Sequence, residues 1–397
     1  MKRTYQFVTT VALLAMIAMP LMAQNGKIYR EGGYWIEEVT GTLSGAHSLR
    51  VHTESGSLNV QGGTQQDITY TARKRVRAGS EEEARRVLSA FRVSAGNRNG
   101  MAYVEGSADG RNSRNFSVDI DVTAPRDLES VRAETDGGSI AVRNIGGRVN
   151  AESGGGSVKL TDISGPVTAE TGGGSVEVNN VTGELNLQTG GGSIKVNSAK
   201  GKLNAGTGGG SITIGDAQQA VTVQTGGGSI QVQNCGGEVR ASTGGGSIDV
   251  GDVGGAAEVE TGGGSIKLAS AKGWVTASTG GGSIQLWKLS SGARAESGAG
   301  SITAEFLGVQ KASTLETSVG DVIVYLSPNA KLTVNASVEM ANGHHIIAKD
   351  FPDLKITSEG GEWGPRSYTA TGTINGGGPV LRVRTTTGNI EFRKASR

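Results

Sequence analysis

The stretch TGGGSIKVNSAKGKLNAGTGGGSI, Thr189 to Ile212, decides the fold. Three glycines and a serine resemble a flexible linker, yet the same motif returns after 18 residues. The serine that follows the glycines recurs at Ser139, Ser157, Ser175, Ser193, Ser211, Ser229, Ser247, Ser265, Ser283 and Ser301, always at that interval. A fixed period of this size marks an architecture of stacked coils.

The residues between the markers exclude a linker. One position after each serine stands Ile or Val, from Ile140 and Val158 to Ile302. Three positions after it come Val142, Leu160, Val178, Val196, Ile214, Val232, Val250, Leu268, Leu286 and Ala304. Ten and twelve positions after it stand pairs such as Leu185 with Leu187 and Val221 with Val223. A disordered spacer has no reason to hold β-branched residues in register over nine intervals.

The alternation within a repeat predicts two short strands per coil. Ser-Ile-x-Val is one, and Gly165 to Thr171 contains the other. Neither is long enough to stand alone, so each must pair with its copy in the next coil, in parallel and in register. The triple glycine is expected to close the coil, through positive φ and close stacking of the turns. A further apolar position, six after the serine, runs from Ile145 through Cys235 to Leu289 and Leu307 and is expected to point inward. The fold class is therefore an all-β, single-chain β-solenoid with 18-residue coils, capped at both ends. The crossover rule makes it right-handed. At ~4.8 Å per coil, the ten marked coils span roughly 45 Å.

The expected organisation is a signal peptide over 1–23, a β-rich N-terminal cap over 24–130, the regular solenoid over 131–304 and irregular closing coils over 305–397. The start carries Lys2 and Arg3, a mostly apolar run from Phe7 to Met19, and Ala23 as a small residue for cleavage. The run is short for a membrane span, and residue 24 is not cysteine, so lipid attachment there is excluded. Within the N-terminal cap, Ser80-Glu-Glu-Glu83 resembles a capping box opening one helix, roughly Glu81 to Ala90.

The sequence holds 397 residues, with 66 glycines, 38 Lys+Arg and 37 Asp+Glu. Removing the signal leaves 36 basic residues against 37 acidic. A neutral chain poor in aromatics is not built for nucleic acid, which requires a surplus of positive charge.

The tail Thr373-Ile-Asn-Gly-Gly-Gly378, followed by Leu381-Arg-Val-Arg-Thr-Thr-Thr-Gly-Asn-Ile390, resembles the closing motif of a bacterial family. That family comprises β-strand-repeat proteins labelled putative adhesins, a domain of unknown function. The Thr-Gly-Gly-Gly-Ser-Ile units are similar to its repeats, although its members more often carry Gly-Asp or Gly-Asn where serine stands here. The resemblance implies an exported, strand-rich protein and supplies no catalytic residues.

Candidate chemistry is sparse, and no catalytic, cofactor or metal residue is assigned. Cys235, the single cysteine, sits in an apolar column and reads as a buried hydrophobe. The histidines are His47, His52, His344 and His345; the adjacent pair would point to opposite faces of a strand. The glycine runs lack the Lys-Ser/Thr of a phosphate loop, and lack the aspartate of a calcium-binding roll. Glu152 and Glu170 share a column thirteen after the serine, ~5 Å apart, which is the separation of a retaining glycosidase pair. That column continues with Gln188, Gly206 and Gln224, so a solvated face is the expectation. Arg73-Lys-Arg-Val-Arg77 could meet a polyanion, but Glu81 to Glu83 follow and local charge pairing is expected instead. Asp350, Asp353, Glu359, Glu362 and Arg366 cluster in sequence and would carry the alternative, a carbohydrate-active enzyme.

Eleven positions after the serine runs a polar column: Asn150, Thr168, Asn186, Asn204, Thr222, Arg240, Glu258, Thr276 and Arg294. The expected function is contact through such faces, as an adhesin-like or structural element of the cell envelope. Its partners would be a polysaccharide, a cell-surface protein or the protein itself. A third reading is an envelope regulatory protein that docks another chain.

Overall fold

A computed structural model describes residues 27–108, 116–340, 343–360 and 366–395. The proposed leader and Glu362 lie outside them. The chain winds into an all-β solenoid of about 11 turns with coils of about 18 residues.

Each regular coil contributes one strand to each of two parallel sheets. In the Ser175 coil these are Val176–Val181 and Leu185–Thr189. Val176 faces Ile194 and Leu185 faces Leu203, so equivalent residues stack without slip. The positions 1, 3, 6, 10 and 12 after the serine point inward and are buried throughout the regular coils. Their side chains are Ala, Cys, Val, Ile and Leu. The strand of the first sheet ends in a corner, which in four coils places Asn144, Asp162, Asn180 and Lys288 at φ of 56°, 56°, 55° and 49°. Among L residues, Asn and Asp enter this left-handed region most readily.

The inward column fails at one expected place. Leu307 is 51% exposed, and Phe306 occupies the interior instead, opposite Leu289. The register shifts between Leu286 and Leu289, so the coil arrives one residue early and a larger ring fills the site.

The role of the glycines also differs from expectation. None of the glycines in the regular triplets has a φ in the left-handed region. Their requirement is steric. A Cβ on Gly172 or Gly174 would overlap the carbonyl oxygen of Gly154 or Gly156 in the coil below. A Cβ on the middle residue, Gly173, would meet nothing nearer than 3.9 Å.

Two hydrogen-bond ladders run beside the triplets. The Thr171 hydroxyl donates to the Gly156 carbonyl at 2.7 Å and accepts the Gly174 N–H at 3.3 Å. The same bridge recurs at Thr189, Thr207, Thr225, Thr243, Thr261 and Thr279. On the serine side, the Ser175 N–H donates to Ser157 Oγ at 3.2 Å and the Ser193 N–H to Ser175 Oγ at 3.3 Å. The serine is thus a rung that occupies the backbone donor at each turn.

The stacking order departs from chain order at both ends. Near the start, Leu58–Gly63 lies between Phe116–Pro125 and Ile140–Ile145, so a later coil sits outside an earlier one. Antiparallel strands then cover the edge: Ile68–Val76, Tyr34–Leu43 and Lys27–Glu31 close the first sheet, and Phe91–Arg98 closes the second. Ser80 caps the helix Glu81–Leu88 by accepting the Glu83 N–H, and the Glu83 carboxylate reaches back to the Gly79 N–H. The helix buries Ala84 and Leu88. At the far end, the C-terminal coil is inserted between earlier ones. Val380–Thr387 pairs with Ser313–Val319 on one side and Leu332–Val338 on the other. Ile390–Lys394 likewise lies between Val322–Leu326 and Ile346–Ile347. The hairpin of Ser367–Ile374 and Lys355–Glu359 finishes the second sheet.

Two outcomes check this packing. Gly173→Ala is expected to leave the melting temperature within about 2 °C, whereas Gly174→Ala should lower stability by about 2 kcal/mol or more through overlap with the coil below, as read by thermal circular dichroism. Deleting Ser193 to Gly210 should leave a folded protein one coil shorter, whereas deleting half of that stretch should misalign every column and unfold it.

Candidate functional site

The outward positions of the second sheet form an extended feature of the surface. Two files run along it, eleven and thirteen positions after the serine. In the first, Arg50, Arg132, Asn150, Thr168, Asn186, Asn204, Thr222 and Arg240 stand in register. In the second, His52, Glu134, Glu152, Glu170, Gln188, Gly206, Gln224 and Ser242 do the same. Because a strand alternates its side chains, the core demands at positions 10, 12 and 14 leave 11 and 13 free to be polar.

Beside the second file the glycines carry no side chain, which leaves open troughs along the turn. One, of about 710 Å³, is bordered by Arg50, His52, Glu134, Glu152, Glu170 and Gln188. Another, of about 550 Å³, is bordered by Glu260, Ser278, Glu296 and Glu316. Between them both files are uncharged from Asn186 and Gln188 to Thr222 and Gln224, and Arg240 follows.

The structure places Glu152 opposite Glu170, in the expected column, and adds Glu134 to the same file. Arg132 lies 2.5 Å from Glu134 and 3.4 Å from Glu152, and Arg50 lies 3.0 Å from Glu134. Burial alone would raise the Glu134 pKa, but hydrogen bonds from Arg132 and Arg50 outweigh it and hold the carboxyl below its ordinary range. A glycosidase acid needs an apolar enclosure that keeps its proton. This trough supplies arginines instead, and it suits contact better than proton transfer.

The other candidates are dispersed. The basic run is neutralised across strands, and its partners are not the expected Glu81 to Glu83. Arg73 pairs with Asp121 and lies 4.0 Å from Glu38, Lys74 lies 3.0 Å from Glu37, and Arg75 lies 2.5 Å from Asp119. Arg77 stands over the Tyr34 ring at 4.8 Å. Glu81 instead pairs with Arg85 within the helix, at 2.6 Å. Cys235 is buried, and its thiol lies 3.2 Å from the Gln219 carbonyl; burial pushes its pKa up, against weaker backbone hydrogen bonds. His345 stacks on Tyr368 at 5.6 Å, while His47 and His52 lie at the other end of the molecule. Asp350 accepts the Lys394 N–H, and Glu359 stands on the edge strand Lys355–Glu359. Asp350, Asp353, Glu359 and Arg366 border none of the cavities described here.

Two surface features were not foreseen. Trp287 and Tyr325 lie 5.8 Å apart on the first sheet, with Arg393 over the Tyr325 ring at 5.9 Å. Both aromatic residues stand four positions after a coil start, Ser283 and Asp321. Recognising Asp321 as a marker after a 20-residue coil would have shown this. A cavity of about 610 Å³ near the far end is walled by Ile323, Ile346, Ile347, Ala348 and Ile356, with His345, Lys349 and Glu391 at its border. Its walls come from segments distant in sequence, so no local pattern announces it.

The stacked coils, the glycine turns and the polar files define an all-β repeat protein whose accessible surface is its two sheet faces. The Toastrack DUF4097 family model matches residues 46–249, just over half of the chain, and the chain belongs to that family of unknown function. Among solved structures, a putative cell adhesion protein from Clostridium sporogenes is 12% identical, covering 91% of this chain and 100% of its own at a TM-score of 0.17. A putative adhesin from Bacteroides fragilis is 12% identical over 67% of this chain and 96% of its own, at a TM-score of 0.31. A putative lipid binding protein from Parabacteroides distasonis is 13% identical over 73% and 96%, at 0.27. Likeness at this level carries no argument about ligand or partner. No curated protein matches the chain.

Glu134 gives a pH test with a definite sign. A carboxyl whose folded pKa is depressed contributes stability above its unfolded pKa and loses it as pH falls through the folded value. Glu134→Gln should therefore cost about 1 kcal/mol near neutrality, and the gap to the parent should close in acid, in thermal melts between about pH 7 and about pH 2.

Proposed function

We propose that the protein is exported and acts at the cell envelope as an adhesin-like or structural element, without catalysis. Extended ligands, polysaccharides first among them, would lie along the second sheet. The observation that carries this reading is the uncharged middle of that face. Asn186, Asn204 and Thr222 stack in register beside Gln188, Gly206 and Gln224. They repeat amide and hydroxyl groups at the ~4.8 Å strand spacing, on a backbone that is rigid and already ordered. Flanking charges are occupied: Arg132 by Glu134 and Glu152, and Arg240 by Glu238 and Glu258. A linear polymer would meet equivalent donors and acceptors along the face, so affinity would come from many weak contacts.

Export is supported by the basic start, the apolar run and Ala23, and among the described residues no helix is long and apolar enough to cross a membrane. Docking of another envelope protein would use the same faces.

Retention of the purified mature protein on immobilised cell-wall and extracellular-matrix polysaccharides tests the reading. At least one should hold the parent, and Asn186→Glu with Asn204→Glu should weaken retention at least about tenfold, since two carboxylates would then desolvate against the ligand without partners. No retention on any polysaccharide, on host surface protein or on itself would defeat the proposal.

A further inference from the structure

We propose that the edge strand Lys355–Glu359 pairs in antiparallel fashion with the same strand of a second copy, joining two solenoids tail to tail. The inference is independent of the surface-contact function above. This strand is the last of the second sheet. One side bonds to Ser367–Ile374, and the other has no strand partner among the described residues. All five of its residues are exposed. An unpaired edge presents a row of backbone donors and acceptors that another chain can complete.

The sequence of the edge selects the occupant. It reads Lys355-Ile-Thr-Ser-Glu359, with a cation at one end and an anion at the other. Neither Lys355 nor Glu359 forms an ion pair among the described residues, and the adjacent strand Ser367–Ile374 carries no charged residue that could supply one. Turned about Thr357, a second copy sets its Glu359 opposite Lys355 and its Lys355 opposite Glu359, on one face of the joined sheet. A parallel copy would set like charges together, and a slip by one residue would leave all four charges unmatched. Charged residues on an edge normally repel other strands. In this order they favour an antiparallel strand of the same charge order in one register and disfavour a parallel or slipped copy.

The neighbouring groups favour the same register. The Thr357 hydroxyl is already hydrogen-bonded to that of Thr369 at 2.7 Å, which orders the face that bears the charges. On the opposite face, Ile356 is 44% exposed beside the cavity walled by Ile346 and Ile347. In the joined sheet it lies diagonal to Ile356 of the second copy, which covers part of that apolar surface. The far end of the first sheet offers no comparable edge: Ile346–Ile347 has two residues, and the Lys394 N–H is taken by Asp350. Five residues bury far less than the ~1,600 Å² of a standard interface, so the dimer is expected to be weak and to form where the protein is concentrated.

Sedimentation equilibrium of the mature protein, from about 10 μM to about 500 μM, tests this. The parent should fit a monomer–dimer equilibrium. Lys355→Glu places glutamate opposite glutamate at both ends and should weaken the dimer at least about tenfold, while Lys355→Glu with Glu359→Lys should restore it to within about threefold. Both positions are exposed, so far-ultraviolet circular dichroism should match the parent in each variant. A parent that stays monomeric, a dimer indifferent to Lys355→Glu, a double variant that fails to recover, or open-ended growth through the opposite edge at Lys27–Glu31 would overturn the proposal.

Discussion

The carbonyl oxygen of the third glycine in each coil is the point on which the stack depends. The oxygen of Gly156 accepts the Thr171 hydroxyl of the next coil and lies where a Cβ on Gly174 would stand. That hydroxyl in turn accepts the Gly174 N–H. Threonine and glycine are therefore two halves of one interaction. The threonine satisfies two half-buried backbone groups, and the glycine lets the coils approach closely enough for the bond to form. Serine replaces threonine at Ser153 and makes the same bridge, and Ser297 keeps its donating half, so the hydroxyl is the required group and the methyl is not.

A stack held in this way has a simple interior and exposed ends. Each inward Val, Ile or Leu contributes roughly 1.5–3 kcal/mol on burial, yet none of that helps a terminal coil whose outer edge is open. Both ends respond by abandoning chain order. Leu58–Gly63 is enclosed by a later coil, and the C-terminal strands are enclosed by earlier ones. The free ends of the repeat become interior layers, and antiparallel strands with charged residues form the outermost ones. The aspartates Asp119 and Asp321 continue the serine ladder into these layers, accepting the N–H of Ser57 and Asn389. A carboxylate there performs the task of the serine hydroxyl, and it explains why Gly-Asp can stand where this chain has Gly-Ser.

The regular coils were legible because their period equals the physical repeat: every inward column from Ile140 to Ile302 is a visible sequence column. Legibility ended where coil length changed. The shift before Phe306 and the 20-residue coil ending at Asp321 broke the count, so Leu307 was assigned inward and the Trp287–Tyr325 pair went unseen. The insertions at the two ends are contacts between segments far apart in the chain, which periodicity does not report. The same holds for charges. Glu152 and Glu170 could be placed in one file from their spacing, whereas the partners of Arg73, Lys74 and Arg75 come from strands whose pairing has no repeat to announce it.

The distribution of charge along the second sheet follows from the same geometry and bears on function. In-register stacking sets each outward residue ~4.8 Å from its copies, so like charges in one file repel unless a neighbouring file supplies the opposite sign. Arg132 and Arg240 do this for the glutamates beside them. Beyond Arg132 the glutamates continue for two more coils, at Glu152 and Glu170, and from Asn186 and Gln188 both files are neutral. The neutral tract runs from Asn186 and Gln188 to Thr222 and Gln224. Its amides and hydroxyls make few bonds to one another, with no bond among Asn186, Asn204, Thr222, Gln188 and Gln224 in the described residues, so their hydrogen-bonding capacity faces outward. Such a face presents hydrogen-bond donors and acceptors at the strand spacing to whatever lies along it.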